Sequence, residues 1–354
     1  MMAELNTAAV HRSLDFVILG TARSGTTALG SAVNLDPECF CGVEYFRGEW
    51  HMDYSKLSLP DDFLSDRFKA SNPRNTAETH KILREKLAAG PVKFYGNKNP
   101  SYFFIISKLH HDLPGLRSAA LYRNPSDLAA SWDRRATNPK DPWNAGRTGL
   151  MGLLNWIVEV ARYGEGVANL NVVDYASMFL RDASIFPVLM RHISGRDTSP
   201  EAIVAFERTI FQAAPEKPRR ARQVPGAPKP HVEFLSHIGV PDLDAAMREA
   251  AFAPSLSLVP VLRPFAEANF DKVFGYVLEA VRIRADVEEI GYALRWARLM
   301  LTMYDDTGSW TFKAMKPMFA RFGEQLGPLA DENGQGLAKR IRNLARKDLP
   351  RPWE

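Results

Sequence analysis

The chain is poor in cysteine and has no long apolar run. Its 354 residues include only Cys39 and Cys41, and the single residue between them would strain a mutual disulfide. No Cys/His set completes a zinc site, so we expect two reduced thiols and no metal. The first apolar run, residues 16–19, is too short for a signal peptide or a membrane span. These features predict a cytoplasmic protein without a membrane span.

A strong excess of charge of either sign is also missing. The 45 Lys and Arg residues against 41 Asp and Glu residues leave a net charge of +4. That is too little to suggest a nucleic-acid partner, although it would tolerate an anionic ligand. Apolar residues make up 45% of the chain and charged residues 24%, which is typical of a globular protein with a sizeable core. The oligomeric state is left open.

The first half of the chain alternates short apolar runs with helical patterns. Strands that alternate with helices predict an α/β fold with a doubly wound parallel sheet, which binds its ligands at the carboxyl ends of the strands. The predicted strands are residues 16–19, 91–95, 118–122 and 171–175, and the predicted helices are residues 24–34, 101–110 and 126–135.

The second half has a different pattern. Residues 214–231 contain five prolines and five basic side chains, as a basic loop or linker would. We therefore divide the chain into an α/β core (1–213), this linker (214–231) and a mainly helical region (232–354). One apolar stripe at three- and four-residue steps predicts a buried helix face. Its members are Val287, Ile290, Leu294, Ala297, Leu301 and Tyr304.

The first strand leads into a Gly-rich loop, Gly20-Thr-Ala-Arg-Ser-Gly-Thr-Thr27, and then directly into a helix. Amide groups at a helix start, together with the positive end of the helix dipole, form an anion site. Gly20 and Gly25 permit close backbone approach. Arg23 can hold a phosphate by two hydrogen bonds, and the threonine hydroxyls add donors. The loop therefore predicts phosphate binding, with a ligand-free Gly-rich turn as the alternative.

The loop lacks one residue of the Walker A motif. GxxxxGK[ST] requires lysine after the second glycine, where this chain has Thr26. The side chain that would reach the β- and γ-phosphates of ATP is missing. An ATP-dependent kinase is therefore disfavoured but stays open as an alternative.

A second strand–turn–helix unit follows at residues 117–132. Asn124 is a good N-cap and Pro125 suits the first helical turn, so Arg123 falls at the carboxyl end of a strand. Ser131 lies about two helical turns further on. Both side chains can face one anion at the top of the sheet.

Together these motifs resemble those of the sulfotransferases that use 3′-phosphoadenosine-5′-phosphosulfate (PAPS). The resemblance covers about residues 16–175 and implies PAPS as co-substrate, adenosine 3′,5′-bisphosphate as product and a P-loop-like fold. Asn124 is a departure, because Asp is commoner there in the family. The resemblance places Arg23, Ser24, Gly25, Thr26 and Thr27 on the 5′-phosphosulfate, and Arg123 and Ser131 on the 3′-phosphate.

Two further segments resemble the heparan-type carbohydrate branch of that family. Residues 95–103 are similar to its Glu-Lys-Thr-Pro-x-Tyr segment, with Lys98 matching and Asn97 and Asn99 replacing Glu and Thr. Residues 43–46 resemble its Glu-x-His-Phe-Phe region, which implies that Glu44 is the base.

Residues 308–310, Gly-Ser-Trp, faintly resemble a loop that covers the 3′-phosphate in the cytosolic branch.

The implied reaction is the in-line transfer of a sulfuryl group to an acceptor hydroxyl, in which positioning and charge stabilisation dominate. Arg23 and Lys98 would stabilise charge, and Glu44 would take the proton. His51, His110 and His111 are rival bases, the last two expected on the surface. The acceptor is a small molecule or a glycan, with a sugar hydroxyl as our first hypothesis and a lipid or phenolic hydroxyl as open alternatives. A binding protein that has lost catalysis is a further alternative.

Overall fold

The computed structural model of the chain describes residues 12–46, 49–70, 72–140, 146–181, 184–209, 228–303 and 309–346. Six strands in these ranges form one sheet. They are β1 (Phe16–Leu19), β2 (Cys39–Val43), β3 (Phe94–Lys98), β4 (Arg117–Tyr122), β5 (Leu170–Asp174) and β6 (Phe252–Pro254).

The α-helices of the first half are α1 (Thr26–Val33), α2 (Asp61–Leu64), α3 (Pro73–Ala89), α4 (Ile106–Asp112), α5 (Pro125–Ala136), α6 (Gly149–Tyr163), α7 (Ile185–Ser194) and α8 (Pro200–Glu207). Those of the second half are α9 (Lys229–His237), α10 (Val240–Ala250), α11 (Ser255–Arg284), α12 (Val287–Met303), α13 (Trp310–Leu326) and α14 (Glu332–Arg346). Short 3-10 turns span Tyr54–Lys56, Pro100–Phe104 and Gly327–Leu329, and a π-helical turn spans Ser177–Arg181.

The strand order in the sheet is β2-β3-β1-β4-β5-β6. Strands β1 to β5 run parallel, and β6 pairs antiparallel with β5 at the edge. Because parallel strands end on the same side, the segments after β1, β3 and β4 meet at one edge of the sheet. The central position of β1 places the Gly-rich loop in the middle of that edge.

Helices cover both faces of the sheet. Phe16 and Ile18 of β1 pack in a core cluster with Leu29 of α1. Val17 of the same strand points the other way, into a larger cluster that contains Trp132 of α5. A strand buried on both faces is expected in a parallel sheet. The predicted α/β fold with a doubly wound parallel sheet is confirmed.

The described part of the second half is mainly helical, as predicted. Side chains of α11, α12 and α13 join the same core cluster as one face of the sheet. In the predicted stripe on α12, Val287 is 56% exposed and Tyr304 lies outside the described residues. The four other members are buried, namely Ile290, Leu294, Ala297 and Leu301.

Most of the predicted linker, residues 214–227, lies outside the described residues. Its last residues belong to the start of α9, which begins at Lys229. The division of the chain into core, linker and helical region stays a prediction.

The structure differs from the sequence prediction at several elements. Strands β2 and β6 were not predicted, and the strand predicted over residues 91–95 begins only at Phe94. The helix predicted over residues 101–110 is a 3-10 turn followed by α4. The turn forms because the Asn99 side chain accepts a hydrogen bond from the amide of Ser101 at 3.0 Å, with Pro100 in the first position.

Cys39 and Cys41 lie in β2 as free, buried thiols. Burial raises the pKa of both, that of Cys41 to about 12. Both therefore stay protonated at neutral pH. Among the described residues, no helix combines the length and the apolar character that a membrane crossing needs.

A glycine in β3 is fixed by packing. A Cβ at Gly96 would overlap the ring of Phe16, whose own strand lies beside β3. We expect Gly96→Ala to lower the free energy of unfolding by about 1–3 kcal/mol, the usual effect of overpacking. Gly275→Ala in α11 is the control, since a Cβ there meets nothing within 4 Å. It should raise stability by up to about 1 kcal/mol. Urea unfolding of both variants measures the difference, and equal effects would contradict the packing described here.

Candidate functional site at the sheet edge

The loop between β1 and α1 has an unusual backbone. Gly20, Arg23 and Gly25 have positive φ angles of 138°, 77° and 102°. A Cβ at Gly20 would come within 2.8 Å of the carbonyl oxygen of Leu121, and one at Gly25 within 2.8 Å of the ring of Tyr175. Both positions therefore require glycine. Arg23 is not glycine. A non-glycine residue held at a positive φ angle is a candidate for a functional role.

Ser24 is a buried polar side chain of this loop that lacks a partner in the described part of the chain. It is 1% exposed, and its Oγ has no hydrogen-bond partner among the described residues. The first amides of α1 begin directly after Gly25, and such amides have no carbonyl partner within their helix. An anion in the loop would accept hydrogen bonds from both kinds of donor. Thr26 is buried and Thr27 is exposed at the same helix start.

The second predicted anchor contacts this loop directly. Nη1 of Arg123 donates to the carbonyl oxygen of Arg23 at 2.7 Å. The Arg123 guanidinium lies 4.5 Å from the ring centroid of Tyr175. Nε of Arg23 donates to Oγ of Ser131 at 3.2 Å. The structure therefore brings together three of the predicted donor-binding residues, from the loop after β1, the turn after β4 and helix α5.

The contacts of Asn124 favour an amide over a carboxylate at this position. Its Oδ1 caps α5 by accepting from the amides of Ser126 and Asp127, at 2.8 and 3.2 Å. Its amide nitrogen donates to Asp244 of α10, which also accepts from the hydroxyl of Tyr122 at 2.5 Å. An aspartate at 124 would place a second carboxylate against Asp244, and like charges at that distance repel.

Lys98 and Glu44 form an ion pair at the other side of the edge. Nζ of Lys98 lies 2.8 Å from Oε1 of Glu44, and the side chains are 1% and 28% exposed. Glu44 has a φ of 52°, and its amide donates to the carbonyl oxygen of Lys98 at 2.6 Å. Asn97 fixes this bend, since its side chain bonds both the amide and the carbonyl of Tyr45. Two of the three residues predicted as catalytic, Lys98 and Glu44, are thus in direct contact.

Of the rival bases, His110 lies away from the loop. His110 was expected on the surface but is half-buried, with Nε2 2.9 Å from Oγ of Ser118 near the amino end of β4. That is the edge opposite the loop. Burial lowers the pKa of His110 to about 4. His111 is exposed as expected, and His51 is exposed as well.

The segment at residues 308–310 begins outside the described residues at Gly308. Ser309 is the N-cap of α13, and its Oγ accepts from the amide of Phe312 at 3.0 Å. Helix capping therefore accounts for Ser309. The resemblance of the segment to a loop over the 3′-phosphate stays a prediction.

Sequence reasoning missed Glu159, the carboxylate that supports the loop. From α6 it accepts the amide of Thr21 at 2.9 Å, the Thr21 hydroxyl, and the hydroxyl of Tyr163 at 2.8 Å. Burial raises its pKa from the ordinary 4.5 to about 7, against the opposing effect of these hydrogen bonds. Nothing in the sequence marks a glutamate in an apolar helix as a loop anchor. Tyr175, in contrast, could have been found from its position after a strand.

Two cavities are relevant to a ligand. The larger, about 760 Å³, lies between α12 and the start of α14 and is lined mainly by polar and charged side chains. The smaller, about 230 Å³, is lined by Ala22 of the Gly-rich loop. Of these two cavities, only the smaller one therefore borders the Gly-rich loop. The described residues form no cluster of three or more His, Cys, Asp or Glu side chains that could hold a metal.

The Glu159 carboxyl gives a pH dependence that can be tested. Its pKa is raised in the folded state, so its contribution to stability is complete below about pH 4.5 and is lost as pH rises through about 7. The wild type should therefore lose stability relative to Glu159→Gln by roughly 1.4 kcal/mol per pH unit between about pH 5 and 7. Urea unfolding at a series of pH values measures this. Glu201→Gln, at an exposed position in α8, is the control. A pH-independent difference would contradict the assignment.

No protein-family model matches the chain, and no curated protein matches it. Solved structures do show similarity. The sulfotransferase STF9 from Mycobacterium avium aligns at 14% identity with a TM-score of 0.36, covering 58% of this chain and 69% of that one. A sulfotransferase from Alicyclobacillus acidocaldarius aligns at 14% identity with a TM-score of 0.33, covering 57% of this chain and 96% of that one. We infer the function from the residues of the site.

Proposed function

We propose that this protein is a PAPS-dependent sulfotransferase that transfers a sulfuryl group to an acceptor hydroxyl. One observation carries the proposal: two sets of residues that can each bind a phosphate lie together at one edge of the sheet. The Gly-rich loop with Ser24 is one, and the unit of Arg123 and Ser131 is the other. A nucleotide with phosphates on both its 5′ and 3′ oxygens would need such a pair.

The residues of the first group fit the 5′ end of the donor. The unpartnered Oγ of Ser24 and the amides at the start of α1 would donate to the 5′-phosphate. Thr26 stands where the Walker motif has the lysine that reaches the γ-phosphate of ATP. This supports a donor with a single 5′-phosphate and a terminal sulfuryl group over ATP.

The residues of the second group fit the 3′-phosphate. Arg123 is held by a carbonyl oxygen and by an aromatic ring, both neutral partners. Its positive charge is therefore not cancelled by these contacts and is available to an anion. Ser131 is 5% exposed and would add a hydroxyl donor.

The bound donor would supply an activated sulfuryl group, and the chain's own residues would orient the acceptor and balance charge. Glu44 would take the proton of the acceptor hydroxyl. When Glu44 gains a proton, Lys98 loses its ionic partner 2.8 Å away. The Lys98 ammonium can then stabilise negative charge that builds on the leaving side, as Arg23 can from the loop. The pair would thus link deprotonation of the acceptor to departure of the nucleotide.

Ligand binding tests the donor assignment. Adenosine 3′,5′-bisphosphate at about a hundred times its Kd should stabilise the fold by roughly 2.7 kcal/mol. Arg123→Ala should weaken its binding by about 10- to 100-fold, the value of a charge-assisted hydrogen bond, and should change AMP binding much less. Arg134→Ala, at an exposed position in α5, is the control. Calorimetric titration gives all the constants.

Equal affinity for adenosine 3′,5′-bisphosphate and AMP would contradict the assignment of Arg123 and Ser131. Stronger stabilisation by ATP with Mg²⁺ than by either nucleotide would favour the kinase alternative. Binding of the bisphosphate without turnover of PAPS on any acceptor would favour the binding protein.

The role of Glu44 needs a kinetic test. Glu44→Gln keeps the size of the side chain and removes the base, so we expect kcat to fall by about 10²- to 10⁴-fold. The limb of the pH–rate profile that reports a basic group should disappear, and the affinity for adenosine 3′,5′-bisphosphate should stay within about twofold. Glu49→Gln makes the same change at an exposed position. Retained turnover in Glu44→Gln, with loss in a His51 variant, would assign the base to His51.

A further inference from the structure

The smaller cavity lies beside the Gly-rich loop and is closed by the helical half of the chain. Ala22 of the loop and Pro100 line it from the sheet edge, and Tyr292 and Trp296 line it from α12. Nε1 of Trp132, another lining residue, donates to the carbonyl oxygen of Ala22 at 2.7 Å. One wall of the cavity is therefore fixed to the loop that would hold the donor.

The walls are mainly apolar and aromatic. Phe103, Phe104 and Met300 are each at most 2% exposed, and Trp296 is 5% exposed. The segment that carries the two phenylalanines is held in place, because the buried Arg162 donates through Nε to the carbonyl oxygen of Phe103 at 3.1 Å. A preformed apolar cavity of this kind suits a flat ring.

Two cations line the same cavity, and the described lining includes no acidic side chain. The Arg147 guanidinium lies 5.2 Å from the ring centroid of Trp132 and 5.7 Å from that of Tyr292. Arg295, on α12, is exposed at the rim. The cavity therefore combines an apolar interior with positive charge at its boundary.

We propose that this cavity is the acceptor pocket, and that its acceptor is a small ring-bearing hydroxyl compound with an anionic group such as a carboxylate. The proposal rests on the proposed function. The volume of about 230 Å³ lies below the 300 Å³ or so where pockets for drug-sized ligands begin, so the acceptor has about one ring. The lining favours such a ring over the sugar hydroxyl that the alignment of Lys98 and Glu44 suggested.

The transfer on this acceptor balances as a simple substitution. The hydroxyl oxygen forms a bond to sulfur while the bond between sulfur and the 5′-phosphate oxygen breaks. The hydroxyl proton goes to Glu44, and the electron pair of the broken bond leaves with the nucleotide. The ring lies against the aromatic walls, and the anionic group is met by Arg147 and Arg295.

Binding of 4-hydroxybenzoate, phenol and methyl β-glucoside tests the pocket. Calorimetric titration into the full chain, with and without saturating adenosine 3′,5′-bisphosphate, should show 4-hydroxybenzoate binding about tenfold or more tighter than phenol. The glucoside should bind more weakly than either. Initial rates with PAPS should follow the same order in kcat/KM.

Variants on the exposed side of α12 separate the parts of the proposal. Arg295→Ala should weaken 4-hydroxybenzoate about tenfold and phenol less than twofold. Leu299→Trp, at a 45% exposed lining position, should weaken both by filling the cavity. Arg298→Ala is the control, since Arg298 lines the larger cavity and not this one.

Each outcome has one meaning. Equal binding of phenol and 4-hydroxybenzoate would refute the proposal that the acceptor carries an anionic group. Tighter binding of the glucoside than of either would refute the proposal that it carries a flat ring. An equal loss in Arg298→Ala would place the anion in the larger cavity and overturn the pocket. Ring binding to a protein that does not bind the bisphosphate would refute the proposed function while leaving the pocket itself supported.

Discussion

The hydrogen bonds from Thr21 to Glu159 support the rest of the site. Arg23 is a non-glycine residue with a positive φ angle, and the free-energy cost of that backbone strain must be offset by surrounding contacts. Here a buried carboxylate takes both the amide and the hydroxyl of Thr21. Because Glu159 lies on α6, which shares a core with α11, the geometry of the loop depends on the helical half as well as on the sheet.

The charged groups of the edge are held in two different ways. Arg123 is fixed by neutral partners, so its position is set without cancelling its charge. Lys98 is instead fixed by the carboxylate of Glu44. That carboxylate balances the charge of Lys98 for as long as it stays ionised. The first arrangement suits a group that must attract an anion at all times. The second suits one that must act only during the reaction, in line with the preorganisation that catalysis requires.

Much of the α/β half could be predicted from the sequence, because β1, β4 and the turns after them depend on local signals. Gly20, Gly25, Asn124 and Pro125 each specify a backbone conformation within a few residues. Strand β2 gave no such signal, since Cys39–Val43 is short and nearly fully buried. The Glu159 contact joins residues 138 apart in the chain, and the contact of Arg123 with Tyr175 also depends on the sheet order. Such pairings follow from the three-dimensional arrangement alone.

The double use of the Asn124 side chain couples two distant positions of the sequence. Its oxygen caps α5 and its nitrogen donates to Asp244, which also holds the hydroxyl of Tyr122. Another residue could make either the helix cap or the hydrogen bond to residue 244. Only an amide at 124, with an acceptor at 244, makes both interactions. A chain with aspartate at 124 would instead need a neutral donor at 244 to avoid two facing carboxylates. The identity of the residue at 244, in a helix far along the chain, therefore restricts which residues the turn after β4 can contain.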